Sequence, residues 1–283
     1  MKVIFHGDDF GLTSGVNRGI IRSFREGLLT SASLVAGGEA AQEALALAKD
    51  NPGLDMGLHL TLCDERPVLR PRDLSSIIPS GDRFPSRNHL LKTILFRRID
   101  YREVGAEWRA QVETVLNAGI RISHLDSHQF VHLFPGLLSV CLKIVRTYDI
   151  PFVRAAMVDP ASLNAGLRRF IQWTGLAGWS RLYASRLLAS PVRTIPSVGF
   201  LSAGGGLTRD ALLKTLAALR SKPAPPCGVE VILHPGTGDA HTSMKYRHWG
   251  YDWKKDLDLL TDRALKKDLA QRGIQTTSFG KER

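Results

Sequence analysis

Asp8 and Asp9 stand side by side just after a short apolar run, Val3-Ile4-Phe5, and just before Phe10-Gly11. Such a run reads as a strand buried on both faces, the pattern of a parallel sheet. Acids at the carboxyl end of such a strand lie where α/β folds place their active sites. Neighbouring strand residues point to opposite faces, so the two acids need not share a job. One can bind a metal while the other meets substrate or water. The plain structural alternative makes Asp9 a helix cap and leaves Asp8 solvated.

Three more apolar runs end in groups of the same kind: Gly57-Leu58-His59, His124-Leu125-Asp126-Ser127-His128 and His234-Pro235-Gly236. Strand ends converge on one face of a barrel, so Asp8, Asp9, His59, His128 and His234 are expected to share a pocket. Two imidazoles and one carboxylate suit a single divalent ion, Zn²⁺ foremost, with Mg, Mn, Co and Ni as alternatives. Leu125 and Ser127 alternate with His124, Asp126 and His128, which puts those three on one strand face while it stays regular. All three cannot ligate one ion, and the remainder are expected to orient the ligands. His132 precedes Leu133-Phe134-Pro135, which reads as a turn, and its role stays open.

The elements that must position these groups alternate through most of the chain. Strands are expected over 3–5, 31–35, 55–61, 121–127, 151–155, 228–233 and 274–279. Helices are expected after Thr13 or Ser14 and over 39–49, 101–118, 137–148, 208–220 and 257–272. Cys63 to Pro85 reads as a long functional loop. About seven strands in alternation point to an α/β TIM-like barrel, distorted or seven-stranded, with an open doubly wound sheet as the other arrangement. No linker or repeat splits residues 1–283, which read as one barrel domain with an arginine-rich amphipathic insertion at about 161–206.

Composition restricts the class. Apolar content of 43% and charged content of 23% are those of a globular protein. No stretch reads as a signal peptide or a bilayer span. Cys63, Cys141 and Cys227, without CxxC spacing, suggest free thiols in a reducing cytoplasm. A formal charge of +11 favours anionic partners. The insertion carries Arg168, Arg169, Arg181, Arg186 and Arg193 with Trp173, Trp179 and Tyr183, and no acid. A second basic stretch runs from Arg87 to Arg102. Both fit basic amphipathic helices on an anionic membrane surface as well as solvated helices packed over the barrel. No recognised nucleic-acid-binding module appears, so nucleic acid is not an expected partner. Gly204-Gly205-Gly206 before Thr208 reads as a turn and cap rather than a phosphate cradle, and Cys63 as a loop thiol.

Asp8-Asp9-Phe10-Gly11, Gly57-Leu58-His59, His124-Leu125-Asp126-Ser127-His128 and His234-Pro235, in that order, resemble the YdjC-like carbohydrate deacetylases. That family includes chito-oligosaccharide deacetylases and deacetylases associated with hopanoid biosynthesis. The likeness covers nearly the whole chain apart from Ala161 to Gly206. It implies a barrel of the polysaccharide-deacetylase type and a metal-dependent hydrolysis of an acetamide. Asp9, His59 and His128 match the metal ligands of the family. Asp8 matches its base, His234 its acid, and Arg154 an arginine that holds the base; His124, Asp126 and His132 fall to a supporting or substrate role. Two positions depart: His6-Gly7 stands where Asn-Ala is common, and Phe130 where histidine is common.

The resemblance is greatest to the hopanoid-associated branch, which implies a glycosylated lipid bearing an N-acetylglucosamine-type sugar as substrate. A soluble chito-oligosaccharide is the enzymatic alternative, and a basic binding protein on a barrel scaffold the non-enzymatic one. The expected location is cytoplasmic, peripheral on the inner face of the plasma membrane, with a homodimer as one arrangement.

Overall fold

A computed structural model describes residues 1–134, 136–155, 192–199, 207–220 and 228–282. Most of the 161–206 insertion, Gly204-Gly205-Gly206 and Cys227 lie outside the described residues. Eight strands form one parallel sheet: β1 Lys2–Phe10, β2 Ser31–Leu34, β3 Asp55–Leu60, β4 His124–Ser127, β5 Phe152–Val153, β6 Ser197–Val198, β7 Val229–Leu233 and β8 Gln275–Thr276. Their order is β5-β4-β3-β2-β1-β7-β6, and β8 pairs with the start of β1. Arg193, just before β6, bridges in parallel to Phe152 of β5, which brings the two ends of the sheet together. The result is the curled α/β barrel expected from the alternation.

Period-2 alternation decides what each strand offers to the interior. Val3 and Phe5, Leu58 and Leu60, Leu125, and Val229, Val231 and Leu233 all face the large apolar cluster under the helices. Ile4, His6 and Asp8 take the opposite face of β1, as Gly57 and His59 do on β3, His124 and Asp126 on β4, and Glu230 on β7. The interior is therefore layered. Ile4, Phe152, Ile195 and Phe279 form a small apolar plug, and the polar side chains lie above it.

The helices that cover the sheet are α1 Ser14–Glu26, α2 Ala41–Asp50, α3 Arg87–Leu95, α4 Tyr101–Asn117, α5 Leu137–Thr147, α6 Arg209–Arg220, α7 Ala240–Lys245, α8 Trp253–Leu260 and α9 Arg263–Gln271. Thr13 caps α1, its Oγ1 accepting from the Val16 amide at 3.2 Å. Thr208 serves α6 in the same way through the Ala211 amide. The single helix expected over 257–272 is two, because Asp262 caps a new start by accepting from the Ala264 amide at 2.7 Å. No helix among the described residues is long and apolar enough to cross a membrane.

Candidate metal and catalytic centre

Within β1, Asp9 breaks the regular strand geometry. Its φ is +68°, a left-handed conformation that costs a non-glycine residue about 1–2 kcal/mol. The β1–β2 register shifts between Gly7 and Phe10, as at a bulge. Alternation would send Asp9 to the face opposite Asp8; the break instead turns both acids into the barrel. That corrects the reading of opposite faces.

Asp9 Oδ1 lies 3.4 Å from His59 Nε2 and 3.3 Å from His128 Nδ1. One ligating atom from each of the three residues falls within 4.8 Å of the others. Both Asp9 oxygens are buried without a hydrogen-bond partner. Burial alone would raise the Asp9 pKa, but His128, His59 and His234 hold it below the usual value, so the group stays charged. A buried charge with no donors calls for a cation. His59 Nδ1 donates to Asp126 Oδ1 at 2.8 Å, which leaves Nε2 turned toward Asp9. That carboxylate–imidazole pairing fixes tautomer and ring orientation in metal sites. Burial works against charge on His59, yet Asp126, Asp8 and Asp9 push its pKa up to about 9. His128 follows β4 on a short turn kept open by left-handed Gln129 and Phe130, at φ 53° and 57°.

Arg154, just past β5, is fully enclosed. It grips Asp8 with two parallel bonds of 2.8 Å, Nη1 to Oδ2 and Nη2 to Oδ1. Its Nη2 also donates to Glu230 Oε1 at 2.6 Å and stands 2.8 Å from Asp126 Oδ2. Burial would raise the Asp8 pKa, but Arg154, His59 and His6 hold it well below the carboxylate range. His132 Nε2 donates to the Arg154 carbonyl at 2.8 Å, while its Nδ1 meets Ser127 Oγ. This histidine, whose role the sequence left open, fixes the backbone that carries Arg154.

His234 ends β7 with Nε2 3.9 Å from Asp8 Oδ2 and with Nδ1 buried and unpartnered. Burial lowers its pKa, against the pull of Asp8 and Asp9. Its amide donates to Asp256 Oδ2 at 2.8 Å. Aromatic rings line the same flank: Tyr251 at 4.2 Å between centroids from His234, and Trp249 at 4.6 Å from His128.

A buried chain runs inward from Asp8. His6 Nδ1 is 2.8 Å from Asp8 Oδ1, and His6 Nε2 is 2.8 Å from His124 Nε2. Ser123 Oγ donates to the Met56 carbonyl, so it accepts from His124 Nδ1, and His124 Nε2 is left to accept from His6. Burial, with His6 and the Arg154 guanidinium beside it, holds the His124 pKa well below normal, so the ring is neutral. His124 is therefore linked to Asp8 through His6 rather than turned toward Asp9. His6, His124 and Asp126 also cluster, but the Arg154 guanidinium reaches into that cluster and excludes a cation. Cys63 approaches Asp64 and His128, yet burial pushes its thiol pKa up, which makes it a poor ligand.

The profile of YdjC-like proteins matches residues 2–271. The chain belongs to that family. Its YdjC-like sequence is 30% identical over 284 residues to a carbohydrate deacetylase of Vibrio parahaemolyticus serotype O3:K6, covering 99% of this chain and 95% of the relative. A carbohydrate deacetylase of Brevibacillus brevis is 38% identical over 152 residues, covering 53% of this chain and 58% of its own. Among solved structures, a candidate cellobiose-phosphate cleavage protein of Enterococcus faecalis V583 superposes with a TM-score of 0.79 at 25% identity, covering 99% of this chain and 98% of that one.

Sequence reasoning missed Glu230, Ser33, Trp249, Tyr251 and Asp256. Glu230 was within reach: it sits four residues before His234 on the same strand face. Ser33, which donates to Asp126 Oδ2 at 2.9 Å, shares that inward register on β2. The two aromatics and Asp256 come from the loop and helix after β7, and nothing in their local pattern points inward.

Proposed function

We propose that this YdjC-like chain is a metal-dependent carbohydrate deacetylase that hydrolyses the acetamide of an N-acetylglucosamine-type sugar. The observation that carries the reading is the charged, unpartnered Asp9 carboxylate facing two imidazoles, with Asp8 clamped beside it. The donor set fits a divalent ion. Asp8, Asp9, Asp126 and Glu230 are all buried, and among the described residues Arg154 is the one guanidinium that touches three of them. Added positive charge at Asp9 offsets the excess.

Asp9, His59 Nε2 and His128 Nδ1 would hold the ion, Zn²⁺ foremost and Mn, Co, Ni or Mg as alternatives. When bound it polarises an acyl carbonyl and makes a water more acidic. Asp8 takes the proton of the attacking water; Arg154 orients it and keeps it ionised, so it stands ready at neutral pH. His234, 3.9 Å away on the other flank of Asp8, has its pKa lowered by burial, so it takes up the proton that Asp8 drew from the water and passes it to the departing amine. The C–N bond breaks, and the products are acetate and a free amino sugar. The ring faces of Tyr251 and Trp249 suit the apolar side of a pyranose, and the aromatic wall excludes water.

In its finer form the reading places that sugar on a glycosylated hopanoid, supported by the overall likeness of the chain to the hopanoid-associated branch and by the arginine-rich insertion in its sequence. Residues 1–283 then act as one barrel domain, with 161–206 as the reversible membrane contact. The test is metal analysis of the purified protein, coupled to acetate release from N-acetylglucosamine, chito-oligosaccharides and a glycosylated hopanoid. One bound divalent ion, with acetate release abolished by a chelator and restored by metal, is expected. Bound metal with no acetate from any of these substrates sinks the deacetylase reading in favour of a binding protein.

A further inference from the structure

A second concave feature lies outside the barrel, in the groove between the start of α4 and the length of α5. It is a half-open cleft of about 890 Å³. Arg97, Arg98, Arg102, Arg109 and Lys143 line it, against one acid, Asp100. Among the described residues none of these five cations makes an ion pair, although the chain pairs other exposed arginines readily, such as Arg66 with Asp82 and Arg70 with Asp73. Like charges gathered without counter-charge repel one another, and the compact state bears that cost. A bound anion relieves it.

The border of the cleft adds a second, independent feature. Leu95 and Phe96 are consecutive and 63% and 70% exposed, among the few large apolar side chains this open to solvent. They follow the buried face of α3, where Leu90 and Ile94 pack inward. The Arg98 guanidinium lies 5.9 Å from the Phe96 ring centroid, so the apolar pair adjoins the cationic wall. No acid occurs between Arg87 and Ile99. A small soluble anion would be served by the cations alone and would give Leu95 and Phe96 nothing to do. An apolar tip beside a basic collar suits an interface, where the tip enters the acyl boundary and the collar meets phosphates.

Topology sets the direction this surface faces. β3 and β4 are parallel, so α4 must run antiparallel to them to connect one with the next. Its first turn, with Tyr101 and Arg102, therefore lies at the carboxyl ends of the strands, the end that carries His59 and His128. The α4 end of the cleft is thus on the side of the barrel that carries the pocket.

We propose that this cleft and the Leu95–Phe96 tip form a docking site for an anionic phospholipid surface, with lipid phosphates seated among Arg97, Arg98, Arg102, Arg109 and Lys143. The site does not depend on the deacetylase reading, because none of its residues belongs to the pocket. Docking there holds the pocket mouth close to the lipid surface.

The experiment measures partition of the full-length protein onto unilamellar vesicles of phosphatidylglycerol with phosphatidylcholine, and onto phosphatidylcholine alone. Binding to the anionic vesicles at low salt, weakened by added salt, is expected, with no binding to the neutral ones. Each basic residue near an anionic surface is worth ~5-fold in partition, so Arg98→Gln with Arg102→Gln should weaken binding by roughly 25-fold. Leu95→Ser with Phe96→Ser should weaken it by about tenfold or more. Arg98→Lys with Arg102→Lys should retain binding, which separates lost charge from lost fold. Arg18→Gln with Lys49→Gln removes equal charge from another flank and should leave partition unchanged. The proposal is overturned if the wild type ignores anionic vesicles at low salt, or if the flank variant loses as much as the cleft variant. It is also overturned if inorganic phosphate, glycerol phosphate or a single-stranded oligonucleotide fills the cleft at lower concentration than lipid, which would make it a soluble-anion or nucleic-acid site.

Discussion

Two adjacent aspartates meet different partners because one backbone angle differs. Asp8 keeps the strand and falls into the Arg154 clamp, while Asp9 turns left-handed and meets His59 and His128. Asp8→Asn should therefore leave metal content unchanged and lower kcat by ~10²–10⁴-fold, the usual worth of a general base. Asp9→Asn should lose the metal itself, as read by metal analysis after dialysis. If Asp8→Asn empties the site, the two roles are reversed. His59 gives a second expectation. Its pKa is pushed up to about 9 by Asp126, Asp8 and Asp9 against the effect of burial, and a ligand must shed its proton before Nε2 can bind. Metal binding should then strengthen as pH rises, by ~10-fold per unit below that pKa, with close to one proton released per ion. Calorimetry in two buffers of different ionisation enthalpy reads the proton count. A metal affinity that is flat between neutral pH and the His59 pKa would show that the ring is already deprotonated.

At the scale of elements, the site depends on strands presenting every second residue to a narrow interior. Much of this was legible, since a polar residue that ends an apolar strand is a strong signal. The expectation that His59, His128, Asp9 and His234 gather rests on that pattern alone. What was not legible came from departures from regular geometry. The bulge at Asp9 lies inside what reads as a regular strand end, and neither Gln129 nor Phe130 is a residue type that announces a left-handed backbone. The break between α8 and α9 hides within a continuous helical pattern, because Asp262 is an ordinary surface residue until its side chain caps an amide. Gly57 shows how tightly β3 and β4 are matched. A Cβ there would come within 2.2 Å of His124 Nε2, in a barrel interior with no room to yield. Gly57→Ala should cost about 1–3 kcal/mol of stability, as overpacking does. It should also displace His124 from His6 and so loosen Asp8, which lowers turnover more than it lowers metal content. Chemical denaturation beside a metal assay separates the two effects; unchanged stability would mean that His124 swings aside freely.

At the scale of the molecule, the alternation of strands and helices made the barrel readable, whereas its closure was not. Among the described residues the last gap is spanned by a bridge from Arg193 to Phe152, too local to leave a pattern in the chain. Stability also carries a signature that no motif reveals. Asp256, on α8, is buried, with Oδ2 accepting from the His234 amide and Oδ1 without a partner. Burial pushes its pKa up to about 7 from a usual 3.8. The folded state therefore binds a proton that the unfolded chain releases between those two values, and stability must fall as pH rises through that window. At ~1.4 kcal/mol per unit the whole effect is on the order of 4 kcal/mol, complete once pH exceeds the folded pKa. Asp256→Asn keeps an oxygen for the His234 amide and cannot ionise. The difference in unfolding free energy between wild type and variant, measured by urea titration in chelator from pH 5 to 8, should move in favour of the variant up to the folded pKa of about 7 and level off above it. A difference that stays constant across that range would mean that Asp256 is charged in the folded protein throughout, and that the interior around His234 admits more water than its burial indicates.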